Sequence, residues 1–288
     1  MPEWLSLYLV LCWLRFFECA TWRPSGAVVF RGGSRRACDA VPRDGVDGRA
    51  GFVIANPLWP FRGVFVSGAA SDGDFDVDDL GRRLEEYRQS ARSLLRAEGA
   101  LSVHLFVVLP VVWSIVGITR AWPYLLVSLL VLHVLVLVTF FHAHRRVFGS
   151  SRMERWSAAV PFLLAPPMAT AAHLALTKGI ARNFHPVAAG FHLCDDESFR
   201  DLALPYVRRS EFPVGDPVAE DRFETPPDRR GDLRALVEER LGSIDLRPSS
   251  RQSEAAQAYC PRCLSEYAEG DRTCVDCAGV ALRAFPSN

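Results

Sequence analysis

The sequence predicts a mainly α-helical membrane protein built on a transmembrane hairpin, with a small cytoplasmic β-rich module before it and a compact cysteine-bearing segment at the C-terminus. Three observations predict this. Residues 101–141 are almost unbroken apolar sequence whose only formal charge is Arg120. Aromatic and arginine side chains mark the two ends of that stretch. The eight cysteines divide into four scattered singly and four in two tight pairs near the end of the chain.

Residues 101–118 and 122–141 are each long enough to cross a hydrocarbon core of ~30 Å at ~1.5 Å per residue, with 119–121 as the turn. Trp113, Trp122 and Tyr124 gather at that turn, where amphipathic rings prefer the headgroup layer. Arg145, Arg146, Arg152 and Arg155 crowd the other exit. By the positive-inside bias both ends of the hairpin face the cytoplasm. The expected setting is therefore the cytoplasmic (inner) membrane, crossed more than once, with the lipid bilayer as the first partner.

The 288 residues leave room for one or two small domains beside the membrane segments. Formal net charge is zero, which argues against a general nucleic-acid binder, since that would carry a basic excess. Cys12, Cys19, Cys38 and Cys194 are spread unlike a secreted disulfide framework.

In chain order, residues 1–22 read as a first transmembrane or interfacial helix. Trp4 and Trp22 bracket its apolar run, ~27 Å apart on a helix, and Arg15 and Glu18 are expected to pair on one face and snorkel. Residues 23–70 turn to short β-rich runs at 27–30, 51–54 and 63–66, separated by Gly, Pro and Asp. So small a sheet must lean on a helix or on the membrane surface. Its arginines at 31, 35, 36, 43, 49 and 62 alternate with Asp39, Asp44 and Asp47, which reads as a solvated face or as contact with anionic headgroups.

Asp76 or Asp78 caps an amphipathic connector helix over 76–98, whose stripe is Leu80, Leu84, Tyr87, Ala91, Leu94 and Leu95. Residues 156–177 are uncharged but interrupted by Pro161, Pro166 and Pro167, with basic residues on both sides. That pattern favours a broken re-entrant or interfacial segment, a full span being the alternative. Residues 183–258 read as a cytoplasmic linker with short helices, and the His185, His192, Cys194, Asp195, Asp196 stretch as an interfacial patch followed by a capped helix.

The strongest local signal is Cys260-Pro-Arg-Cys263, ten residues, then Cys274-Val-Asp-Cys277. Two CxxC knuckles can aim four thiolates at one Zn²⁺, and metal binding would then supply most of the fold of a segment with so little core. Leu264, Tyr267, Val280 and Leu282 are the candidate packing residues. A redox dithiol and a pair of disulfides are the competing readings, but neither pair sits in the strand–helix context of a thioredoxin-like unit. At these residues the C-terminus resembles the short zinc ribbons that end many bacterial proteins, membrane proteins included. The likeness covers 259–282 within a segment of 259–283. It departs where such ribbons place a glycine directly after each knuckle: Leu264 follows the first, and Ala278 then Gly279 follow the second. The resemblance implies a structural Zn²⁺ held by Cys260, Cys263, Cys274 and Cys277. A site filled by four protein ligands has no open position for a substrate.

His104, His142 and His144 are expected near one depth of an antiparallel hairpin, with His173 in the broken segment. Histidines inside a membrane are candidate metal or haem ligands or proton relays. No carboxylate lies within either span and no HExxH accompanies them, so interfacial or hydrogen-bonded structural roles compete. No P-loop, dinucleotide fingerprint, GxSxG or kinase set is present. The expected function is a non-catalytic scaffold that recruits a protein partner through the ribbon; the alternative is a membrane enzyme or metal- or haem-handling protein using the four histidines.

Overall fold

The computed structural model describes residues 3–23, 27–33, 39–41, 51–54, 62–67, 74–211, 227–242, 253, 255–268, 270–277 and 279–285. Arg35, Arg36, Arg43, Arg49, Asp44, Asp47, Cys38, Ala278 and, within the expected linker, 212–226, 243–252 and 254 lie outside the described residues.

Helix α1 (Glu3–Cys19) is followed by strands β1 (Ala20–Arg23), β2 (Val29–Gly33), β3 (Asp39–Val41), β4 (Gly51–Ile54) and β5 (Arg62–Val66). The helix expected over 1–22 therefore stops short. Residues 20–23 pair antiparallel with β4, Trp22 opposite Phe52, so Trp22 sits on a strand and cannot bracket a helical span. With 17 residues, α1 stands at the short end of the range that crosses a hydrocarbon core. Arg15 does not snorkel either. It is buried, and its Nη1 donates to Ser102 Oγ at 2.9 Å and to Thr170 Oγ1 at 2.8 Å.

Strands β3, β2 and β5 form one antiparallel sheet with β2 central. Alternation sends Val28, Phe30 and Phe65 to one face and Val29, Val64 and Val66 to the other, and both faces are buried. The sheet thus leans on helices, as its size demands.

Helix α2 (Val77–Val103) runs through a wide π turn (His104–Val108) into α3 (Leu109–Val116). Together they make one apolar-ended rod, Val77–Val116, of 40 residues. The connector and the first half of the hairpin are therefore a single element. The wide turn leads into Pro110, whose ring and missing N–H cannot be fitted to a regular α pattern. Asp76 caps the rod, its side chain accepting from the Asp79 N–H at 2.9 Å. Tyr87 meets Phe65 of the sheet edge-on at 6.1 Å.

The reversal occurs at Gly117, φ 78 and ψ 150, a conformation that a Cβ disfavours. Helix α4 (Ile118–Phe148) begins directly after it, so 119–121 belong to a helical turn and the bend lies earlier than the sequence suggests. The rod and Trp122–Phe148 each contain an 18-residue window apolar enough to cross a membrane, with mean hydropathy 2.1 and 2.6, and only 17% and 28% of those windows is buried. Val107, Ile115, Leu130, Val131 and Val138 point outward. The polar side chains in this belt turn back on their own helix: Ser114, Ser128 and Thr139 each donate to the carbonyl four residues earlier, at 2.7 to 2.9 Å.

Gly149, φ 60, ends α4, and a reciprocal capping box between Ser151 and Glu154 opens α5 (Arg152–Leu164). A 3-10 turn (Met168–Ala171) and α6 (Ala172–Ile180) follow, bent 118° from α5. The broken segment expected over 156–177 thus breaks at Pro166 and Pro167, while Pro161 stays inside α5.

Short helices were expected within 183–258, and its described part holds three, packed on one another: α7 (Pro186–Leu193), α8 (Asp196–Glu211) and α9 (Arg230–Leu241). Val187, Ala188, Phe199, Val207, Leu233 and Val237 join the same core as Leu80, Leu84 and Leu94 of α2. Arg240 staples them. Its guanidinium donates to the Gly190, Phe191 and Cys194 carbonyls at the end of α7, pairs with Asp196, and lies 4.7 Å over the Phe199 ring. Strands β6 (Ala258–Tyr259), β7 (Glu266–Tyr267) and β8 (Arg283–Ala284) make the small C-terminal sheet, β6 central.

His185 joins the two ends of this helical layer. Its N–H donates to the Asp74 carbonyl at 2.9 Å, its Nδ1 accepts from the Val187 N–H at 3.2 Å, and its ring stacks on Phe75 at 4.4 Å. Burial first, and then the charge of Arg229, take its pKa down from 6.5 to about 3. A histidine depressed in the fold contributes stability that is complete above its unfolded pKa and is lost as pH falls from 6.5 towards 3, at about 1.4 kcal/mol per unit. His185→Asn keeps the capping acceptor and removes the titration. Between pH 7 and pH 5, wild-type protein in detergent should lose roughly 2 kcal/mol more unfolding free energy than His185→Asn; equal losses would remove His185 as the cause.

Candidate metal centre and a buried ionisable cluster

The four C-terminal cysteines come together. One sulfur from each of Cys260, Cys263, Cys274 and Cys277 lies within 4.8 Å of all the others, and this is the only such group of three or more potential ligands among the described residues. Cys263 Sγ and Cys274 Sγ are 3.6 Å apart. A tetrahedron of zinc–sulfur bonds of about 2.3 Å sets sulfurs about 3.8 Å apart, so small movements close this set around one ion.

Each knuckle is a turn closed by backbone. The Leu264 N–H donates to the Cys260 carbonyl at 2.8 Å and the Cys260 N–H to the Ser265 carbonyl at 3.0 Å; in the second knuckle the Val280 N–H donates to the Cys277 carbonyl at 3.0 Å. Both turns need a left-handed residue. Gly279 supplies it in the second at φ 87, and Leu264 takes it in the first at φ 63. The missing glycine after the first knuckle is thus a strained leucine in the same geometry. Val280, Tyr267 and Leu282 pack on the cysteines, as expected, whereas Leu264 serves the turn and Tyr259 packs instead on Phe285 at 5.1 Å.

The metal-free thiols are unequal. Burial pushes Cys260 up to about 11 and holds Cys277 well above the ordinary thiol value. Burial also raises Cys263, but its hydrogen bonding with Ser265, and then with Cys260 and Cys274, brings it down to about 7. A metal arriving at neutral pH therefore meets one partly ionised sulfur and displaces protons from the rest. The described cysteines form no disulfide.

The four histidines do not share a centre. His104 Nε2 lies 3.4 Å from the Leu125 carbonyl and 3.3 Å from Ser128 Oγ. His142 is 14 residues further along α4, ~21 Å on a helix. The expected common depth fails because the reversal sits at Gly117 and the rod continues far below residue 101, so α4 beyond Phe141 runs beside the connector. His142 is exposed, and His144 Nδ1 lies 2.7 Å from Ser150 Oγ. The 185–196 stretch is likewise spread out: His192 Nε2 lies 2.7 Å from the Val77 carbonyl, and Asp195 accepts from the Ser198 N–H at 2.8 Å as a helix cap.

His173 is different, and its partner is a residue that the sequence reading missed. The fully buried Glu98 accepts from the His173 N–H through Oε1 at 2.6 Å, and its Oε2 lies 2.6 Å from His173 Nδ1. Arg15 stands close enough to bias the same carboxylate. A signal existed: Glu98 continues the 80, 84, 87, 91, 94 stripe at its next position, so a carboxylate was aimed into the core.

No protein-family model, curated protein or solved structure matches the chain.

The full-length protein should bind one Zn²⁺ per chain, and Cys260→Ser or Cys274→Ser should weaken binding at least ~100-fold in a chelator competition. Because binding displaces protons, apparent affinity should fall by at least ~10-fold for each pH unit below 7. Stoichiometric tight zinc in both variants would dismiss the site.

Proposed function

We propose that this chain is an integral protein of the cytoplasmic membrane that uses a C-terminal zinc ribbon to recruit a protein partner. The rod and α4 form the membrane hairpin, whose ends face the cytoplasm, and Cys260, Cys263, Cys274 and Cys277 hold a structural Zn²⁺. The carrying observation is the convergence of four sulfurs in a segment with almost no other core. Four protein ligands would leave no position for a substrate, so the metal shapes a binding module and takes no part in a reaction. The outward belt of apolar residues, bounded by Trp122 and Tyr124 at one end and exposed Arg145 and Arg146 at the other, supports the membrane placement. The alternative, an enzyme or metal- or haem-handling protein using His104, His142, His144 and His173, draws less support, because these side chains are spread along the bundle.

Two measurements test this reading. Impermeant thiol labelling of cysteines introduced singly at Pro2 and Ser287 in intact cells should modify position 2 and spare position 287; labelling at 287 would put the ribbon outside and end the cytoplasmic assignment. Cross-linking in native membranes followed by quantitative proteomics should show at least one protein depleted ~10-fold on deletion of 259–288 and equally on Cys260→Ser. An unchanged set of cross-linked proteins would overturn the recruitment role.

A further inference from the structure

The described core contains one group of side chains that the ribbon reading does not use, where α1, α2 and the start of α6 meet. Arg15, Glu98 and His173 are 8%, 1% and 0% exposed. The cluster lies just inside the apolar belt: on the rod, exposed Arg96 precedes Glu98 and outward-facing Val103 follows it, while α1 turns Leu9, Val10, Trp13 and Phe16 outward around Arg15. An ionisable triplet in such a place is expensive to maintain, and a purely structural tie could have been made with neutral partners.

Its wiring is specific. Glu98 is held at both oxygens by His173, once through the backbone N–H and once through Nδ1. Arg15 is held by Ser102 and Thr170, and Thr170 in turn donates to the Pro167 carbonyl at 2.6 Å. With Nδ1–H given to the carboxylate, the neutral ring carries its lone pair on Nε2, and Nε2 is buried with no hydrogen-bond partner. A carboxylate behind an imidazole fixes the tautomer. The far nitrogen is therefore an unpartnered acceptor in a closed space, and the ligand that reaches it without opening the bundle is the smallest one.

We propose that the Arg15–Glu98–His173 cluster is a buried proton-binding site, with His173 Nε2 as the acceptor. The step is H⁺ from the aqueous phase bonding to the Nε2 lone pair. With Glu98 ionised by its partners, the triplet passes from net zero to net +1, the imidazolium attracted by the Glu98 carboxylate and repelled by the like charge of Arg15. The other groups on the elements packed here are few. Cys19 and Cys12 on α1 act on Arg15, Lys178 on α6 donates to the Ala20 carbonyl at 3.3 Å, His133 on α4 is buried without a charged neighbour acting on it, and Arg152 and Glu154 on α5 are exposed. Glu98 and Arg15 thus set the affinity with opposite signs.

The test is nitrogen-15 NMR of histidine-labelled full-length protein in lipid nanodiscs, zinc-loaded, titrated from pH 5 to pH 9. The His173 signals are identified by their loss in His173→Gln. The expected result is a reversible change of Nε2 from imine-like to protonated within that range. Removing the anion, Glu98→Gln, should shift the midpoint down by at least ~1 pH unit; removing the cation, Arg15→Gln, should shift it up. Where Glu98→Gln does not fold, Arg15→Gln alone decides the sign. A His173 ring that keeps one protonation state across the range, a midpoint that neither variant moves, or a metal-bound signal at Nε2 would each overturn the proposal.

Discussion

A carboxylate buried inside a bundle of apolar helices must be neutralised where it stands, and the arrangement of this protein's first and sixth helices follows from that demand on Glu98. Desolvating an ion costs several kcal/mol even after relaxation, so its partners have to arrive with good geometry or the bundle does not form. His173 arrives from the far side of the broken 152–180 segment, and its two bonds to Glu98 pin the N-terminus of α6 to the rod. Arg15 arrives from α1 and ties that helix to Ser102 and Thr170. Sheet packing then has a fixed floor: Ala171 and Leu174, on either side of His173 in the chain, lie under Val29, Val64 and Val66, and Thr177 Oγ1 accepts from the Val64 N–H at 3.4 Å.

The second constraint is mechanical. A rod of 40 residues spans ~60 Å, twice a hydrocarbon core, so it carries both the outward-facing apolar belt and the inward-facing stripe on which the sheet and α7 to α9 assemble. Continuity through the π turn keeps those two halves in a fixed rotational relation. That relation also decides what the hairpin histidines can do, since a reversal at Gly117 sets His104 beside Ser128 and leaves His142 and His144 far along α4.

The hairpin, the Asp76 cap, the broken segment and the cysteine set were legible in the sequence because each rests on local chemistry: length of apolar run, a capping oxygen, consecutive prolines, knuckle spacing. The extent of α1 was not, because the strand that stops it is completed by Gly51–Ile54 some thirty residues away. The histidine grouping failed for a related reason. Charge and aromatic content locate a turn to within a few residues, whereas facing pairs depend on the turn's exact residue and on where the rod really begins.

The short helices expected near 199–210 and after Asp232 are present, whereas α7 and the packing of all three were not legible, for a more instructive reason. Residues 186–193 carry few large apolar side chains, so a search for a broad stripe passes over them, yet Val187, Ala188 and Ala189 are completely buried. Small residues let backbones approach: a Cβ on Gly190 would stand 2.5 Å from Leu202 Cδ2, nearer than real carbons come. Close approach strands the carbonyls at the end of α7 away from water, and Arg240, from a helix fifty residues on, satisfies them. An arginine on a short polar helix and an alanine-rich turn look like surface when each is read alone. Their energetics belong to one another, because the tight packing creates the unsatisfied groups that the distant guanidinium must meet, and neither half of that exchange is written in the local sequence.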